Sequence, residues 1–166
     1  MDKVTLQICG LRPISLNRLH YRNRKLTQEA REYRGSFLSQ LQAYSDELKA
    51  LSKTFQPTKH SLALSCHFKM PQSEYFTNKG YISARSQDLD NLLKLNIDCL
   101  CNAEYNDPKW LSKKQRSPRE KKFYNNLKVI QNLDIDDKFI SQIMAEKSPV
   151  NGPHELIITI SLLDLI

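Results

Sequence analysis

The chain has 166 residues, 40% of them hydrophobic and only four of them Gly, which suits one compact globular domain with a modest core and excludes a disordered, fibrous or repetitive chain. A formal net charge of +7 and a pI near 9.2 favour a polyanionic partner, nucleic acid or a membrane surface. That charge is confined to two stretches, Arg12 to Lys25 with five basic residues and no acid, and Lys109 to Lys122 with seven basic residues against Glu120 alone; taken singly, either reads first as a solvated loop.

At the N-terminus Val4, Leu6 and Ile8 alternate with Lys3, Thr5 and Gln7, the period of a half-buried strand. The Gly, Pro and Asn punctuation of GLRPISLNRLHYRNRK makes the next stretch a basic loop. From Thr27, which suits an N-cap, Ala30, Tyr33, Phe37, Leu41, Tyr44, Leu48 and Leu51 recur at spacings of three and four and predict one long helix, ended before Pro57. HSLALSCHFKM is the clearest strand: Leu62, Leu64, Cys66, Phe68 and Met70 share one face, Ser61, Ala63, Ser65, His67 and Lys69 the other. A slip of one residue would turn that whole apolar set to solvent. His60 and His67 are expected on the polar side, where a lone imidazole is ordinarily surface.

Residues 71 to 87 read as a loop or broken hairpin around Asn78, Lys79 and Gly80. SQDLDNLLKLNIDCL predicts a second helix with Leu89, Leu92, Leu93, Asn96 or Ile97, and Leu100 on one side, followed by a long polar insert at about 102–134. DKFISQIMAEK and HELIITISLLDL read as two further strands, joined through Pro149, Asn151, Gly152 and Pro153. The order strand, helix, strand, helix, strand, strand predicts an α+β fold over residues 1–166, with two helices packed on one face of a small mixed sheet.

Cys9, Cys66, Cys99 and Cys101 lie in mainly apolar stretches, and the C-x-C at 99–101 lacks the spacing of zinc or redox sites, so reduced and mostly buried thiols are expected. The first thirty residues are broken by charge throughout, unlike a secretory signal, and LIITISLLDLI is too short and too β-branched to span a bilayer. A soluble cytoplasmic protein is expected.

The acidic residues carry the chemistry. Inside a helix Asp88 and Asp90 would project about 200° apart, since each residue turns about 100°. An extended approach that becomes helical near Asp90 would aim both at one point, with Lys94 and Asp98 following along the helix edge. Each Asp alone reads as a cap, and Asp90 with Lys94 as an ordinary i,i+4 pair. A second acidic cluster, Asp134, Asp136 and Asp137, opens the next predicted strand. Gathered carboxylates repel unless a cation neutralises them, and hard oxygen ligands with water are what Mg²⁺ accepts. An EF-hand is excluded, because Phe139 and Ala145 stand where its Gly and Glu belong. Spacing alone leaves capping and metal binding both open.

D-x-D-N-x-x-K-x-x-x-D at Asp88 to Asp98, followed by Asp136-Asp137 and a strand closing with Lys147, resembles the RusA-type Holliday junction resolvases. RPISLNR is similar to that family's Pro-x-Ser-x-Asn loop, with Asn17 at the asparagine position, and LTQEAREYR to the start of its first helix; the likeness runs from about Leu6 to Ile160. The resemblance implies a RusA-like fold and a Mg²⁺-dependent, structure-selective endodeoxyribonuclease, with Mn²⁺ as an alternative metal and no organic cofactor. Its role would be resolving four-way junctions by paired nicks in DNA recombination and repair, as a homodimer without membrane contact. It implies catalytic Asp88, Asp90, Lys94 and Asp137, and metal ligation by Asp88, Asp90 and Asp137 with Asp136 as a further carboxylate. For such a function DNA contacts are expected from Asn17, Arg18, Arg22, Arg24, Lys25 and Arg85, and from Lys113, Lys114 and Arg116 in the basic insert. Two features depart from the family: 39 positions separate Asp98 from Asp137, and Gln87 stands where a basic residue is often found. A non-catalytic protein binding branched DNA, and a nuclease for flaps or RNA, are the competing readings.

Overall fold

The computed structural model describes residues 1–18, 26–101, 118 and 132–165. Strands β1 (Lys3–Cys9), β2 (His60–Pro71), β3 (Ile140–Val150) and β4 (Glu155–Asp164) form one mixed sheet in the order β1-β4-β2-β3. β4 runs antiparallel to both neighbours and β3 parallel to β2. The helices are α1 (Gln28–Leu41), α2 (Ser45–Thr54), the single turn α3 (Gln72–Tyr75) and α4 (Leu89–Cys101).

Alternation decides which face of the sheet is buried. Val4, Leu6 and Ile8 of β1, Leu62 to Met70 in steps of two on β2, and Leu156, Ile158 and Ile160 of β4 all point into one core with the helices. The opposite face is mainly polar, with a Thr5–Thr159 hydroxyl pair at 3.2 Å and His67 against Ser148 at 2.7 Å, although Ile157 and the exposed Met144 share it. His60 corrects the expectation: its ring is turned in against Phe55, its side chain is only 15% exposed, and its Nδ1 accepts from the Gln56 N–H. Being even-numbered like Leu62, it shares the apolar face.

The expected long helix is two helices. Thr27 caps α1, its hydroxyl accepting from the Ala30 N–H at 3.2 Å, and the stripe from Ala30 to Leu51 is buried apart from the half-exposed Tyr44. Between α1 and α2 lies a 3₁₀ turn, Gln42–Tyr44, where Tyr44 leaves helical geometry with φ −113° and ψ 14°. The Tyr44 hydroxyl there accepts from the Gln7 N–H and donates to the Gln7 carbonyl, while the Gln40 amide does the same for Cys9 at 2.8 and 2.9 Å. β1 is a sheet edge, so these side chains take the place of a missing neighbour strand.

The insert is shorter at its end than the sequence suggests. Leu133 and Ile135 are buried, the Leu133 N–H donates to the Leu100 carbonyl at 2.8 Å, and the Ser52 hydroxyl donates to the Leu133 carbonyl. Two apolar residues flanking Asp134 therefore tie the returning chain to the ends of α2 and α4. Of residues 71 to 87 only the stretch closed by the Phe76–Ile82 bridge is hairpin-like, with Gly80 at φ +81°; Pro71 ends β2, Gln72–Tyr75 form α3 and Ala84–Ser86 a 3₁₀ turn.

α4 buries Leu92, Leu95, Asn96, Cys99, Leu100 and Cys101, while Leu89, Leu93 and Ile97 only flank the core. The buried face is thus rotated from the expected one towards Leu95 and Cys99. Asn96 is held inside by two bonds: its Oδ1 accepts from the Tyr33 hydroxyl at 2.6 Å, and its Nδ2 donates to the Leu92 carbonyl at 2.7 Å. Burial also pushes the Tyr33 phenol well above its ordinary pKa, so it stays a donor. Tyr33→Phe leaves Asn96 Oδ1 without its donor and is expected to cost ~1–3 kcal/mol, read as a lower urea midpoint at unchanged m-value.

At the far end of the sheet, Glu74 lies 3.2 Å from both Arg12 Nε and His154 Nε2. Burial of the ring holds the His154 pKa below its ordinary 6.5, against the pull of Glu74. The unfolded imidazole takes up its proton at higher pH than the folded one, so stability is present above pH 6.5 and declines as pH falls below it. Thermal unfolding between pH 8 and 5 is expected to show this slope, and His154→Gln to flatten it.

Candidate active site

α4 lies against β3, the turn Leu16–Arg18 and the 3₁₀ turn Asp137–Phe139. With its leucines turned into the core, the exposed edge carries Asp90 and Lys94, with Asp98 half-buried. Asp88 is exposed just ahead of the helix. The approach to the helix is not extended as expected: a 3₁₀ turn, Ala84–Ser86, leads into Gln87, whose φ of +53° is left-handed.

Lys94 pairs with Asp98, Nζ to Oδ1 at 2.7 Å, rather than with Asp90. The hydrogen bond that Lys94 donates to Asp98 is the main reason that the Lys94 pKa is raised above its ordinary 10.5, and the nearby charge of Asp137 adds to it. Lys94 is therefore a fixed cation at neutral pH and cannot serve as a general base. The structure thus brings together Lys94, Asp98 and Asp137, the last from a segment 39 positions beyond Asp98.

Asp136 and Asp137 part company. Asp136 caps the 3₁₀ turn, accepting from the Lys138 N–H at 3.0 Å and pairing with Lys138 Nζ at 3.1 Å. The Lys138 backbone hydrogen bond is the first cause of its lowered pKa. Asp137 is exposed at the head of that turn. Asp136→Ala is expected to lower the thermal midpoint through loss of the cap, and Asp136→Asn, which can still cap, to keep it.

Among the described residues no group of three or more Asp, Glu, His or Cys side chains stands close enough to hold a metal ion. The donor chemistry nevertheless suits Mg²⁺, which keeps several waters and commonly takes only one or two carboxylates directly. One more oxygen lies in the same region: Gln87 Oε1 is buried without a hydrogen-bond partner, a cost of ~1–3 kcal/mol. The thiols offer nothing here. All four cysteines are free, and burial raises the Cys99 thiol and pushes Cys66 and Cys101 to about 12, far from thiolate chemistry.

Of the expected DNA contacts, Asn17 and Arg18 are exposed in the turn beside α4, with Arg18 bonded to Glu29 at 2.7 Å. Arg22, Arg24, Lys25, Lys113, Lys114 and Arg116 lie outside the described residues, as does the Arg85 side chain. One residue that sequence reasoning left out of the site is Lys147, noted only as the close of its strand. Its Nζ donates to the Gln87 carbonyl at 2.6 Å and to the Ser86 hydroxyl at 3.1 Å. Its signal in the sequence is its place at the close of the strand that follows Asp136-Asp137; the sheet register sets it opposite Phe68, on the core-facing side.

No helix among the described residues is long and apolar enough to cross a membrane. No protein family matches this chain, and no curated protein does.

Proposed function

We propose that the chain is a Mg²⁺-dependent, structure-selective endodeoxyribonuclease of the RusA type, acting as a homodimer that nicks opposite strands of a four-way junction. The observation that carries this reading is Lys94, paired with Asp98 at 2.7 Å on the helix edge that begins with Asp88 and Asp90, where the Asp137–Phe139 turn packs against α4. Distant acidic segments meeting around one cation at an exposed edge have no need in the core, whose helices are held by leucines and by Asn96.

One or two of Asp88, Asp90 and Asp137 would hold the metal directly, the remainder of its shell being water, with Asp136 kept to its cap. A bound Mg²⁺ would supply an activated water and neutralise charge on the scissile phosphate. Lys94, fixed by Asp98, offers its ammonium to the negative charge that grows on the phosphate oxygens. Asn17 and Arg18, on the turn against α4, would contact the neighbouring DNA backbone, and the two basic runs would give the salt-dependent part of binding.

A gel assay of four-way junction, flap, linear duplex and RNA, in Mg²⁺ and in chelator, tests the proposal. Paired nicks in the junction, lost in chelator, are expected; preference for flap or RNA redirects the substrate assignment, and tight binding with no cleavage in Mg²⁺ or Mn²⁺ favours a non-catalytic binder. Asp90→Asn is expected to bind the junction at least as tightly as wild type while nicking falls to the chelator level. Lys94→Met is expected to slow nicking by about 10²–10³-fold, as does removal of other donors to transition-state charge.

A further inference from the structure

We infer that Lys147 is a positioning residue for this site: its ammonium clamps the Ser86–Gln87 turn and so fixes where Asp88 stands. The inference rests on the metal-dependent nuclease reading above. On β3, Lys147 is paired with Phe68, whose side chain is fully buried in the core. That register sends the lysine towards the helix-covered side, where an ammonium must find acceptors. It finds the Gln87 carbonyl at 2.6 Å and the Ser86 hydroxyl at 3.1 Å. Tyr75 holds the strand in place at the same point, its hydroxyl donating to the Lys147 carbonyl at 3.3 Å.

The turn's own backbone bonds, from the Ser86 N–H to the Ser83 carbonyl at 3.0 Å and from the Gln87 N–H to the Ala84 carbonyl at 3.5 Å, close it only as far as Gln87. Gln87 is left-handed without being glycine, and its Oε1 is buried and unpartnered. Ser86 is 1% exposed, its hydroxyl donating to the Ser83 carbonyl at 2.8 Å while accepting from Lys147, so the clamp continues back along the turn. Asp88 is the next residue after Gln87, and α4 begins at Leu89. A charge-assisted bond to the Gln87 carbonyl is therefore one peptide away from the first candidate ligand.

Lys147→Met keeps the stem and removes the charge. We expect Mn²⁺ affinity, measured by electron paramagnetic resonance, to fall about 10–100-fold, as for other residues that orient metal ligands. Amide hydrogen exchange at residues 87 to 90 should quicken. Nicking should slow at low metal and recover towards wild type at high metal, while junction affinity in chelator stays within about twofold. Recovery by metal is what a merely structural defect would not show. Should Lys147→Met fail to fold, Ser86→Ala, which removes one of the two acceptors, should shift Mn²⁺ affinity in the same direction by less. Wild-type Mn²⁺ affinity in both variants, or slow nicking that metal concentration does not move, overturns the clamp. A wild-type protein that neither binds Mn²⁺ nor nicks overturns the nuclease reading itself, and the clamp's role with it.

Discussion

α4 has one way to lie down. Leu92, Leu95, Cys99 and Leu100 must face the sheet, and Asn96 between them must meet the Tyr33 hydroxyl or be left buried and unpaired. That rotation settles the rest: Lys94 and Asp98 come to the side where the Asp137 turn returns, and the start of the helix comes to Lys147 on β3. The buried amide thus orients a polar edge that makes few apolar contacts of its own.

Electrostatics on that edge follow from the seating. Asp90 lies in the first turn of α4, where the helix dipole already favours a carboxylate. Lys94 has acids four residues away on both sides, and it is bonded to Asp98, on the side towards Asp137. This reverses the pairing preferred on an isolated helix, acid before base. The cost is a few tenths of a kcal/mol, which a second nearby carboxylate readily offsets.

Much of the frame is legible in the sequence because burial imposes short periods. The alternation in β1, β2 and β4 and the Thr27 cap need only neighbouring residues to be read. What escaped depends on distant partners. The break at Gln42–Tyr44 is invisible because the apolar stripe runs through it, and its reward lies on β1, where Tyr44 meets Gln7. Leu133 and Ile135 hide at the end of a polar, basic stretch, and only the bond to Leu100 reveals them as core. In the candidate site, Asp88, Asp90, Lys94 and Asp137 stand out in the sequence as candidates, yet the choice of Asp98 as the lysine's partner, the cap made by Asp136 and the reach of Lys147 to Gln87 all require the fold.

The central claim is that the start of α4 and the Asp137 turn serve one cation. Replacing Mg²⁺ with Fe²⁺ and generating hydroxyl radicals with ascorbate and peroxide would cut the polypeptide wherever it approaches the metal. The account predicts two cuts, near residues 88–90 and near 137, both suppressed by excess Mg²⁺ and both lost in Asp90→Asn. Cutting at one segment only, or cutting unaffected by Mg²⁺, would contradict it.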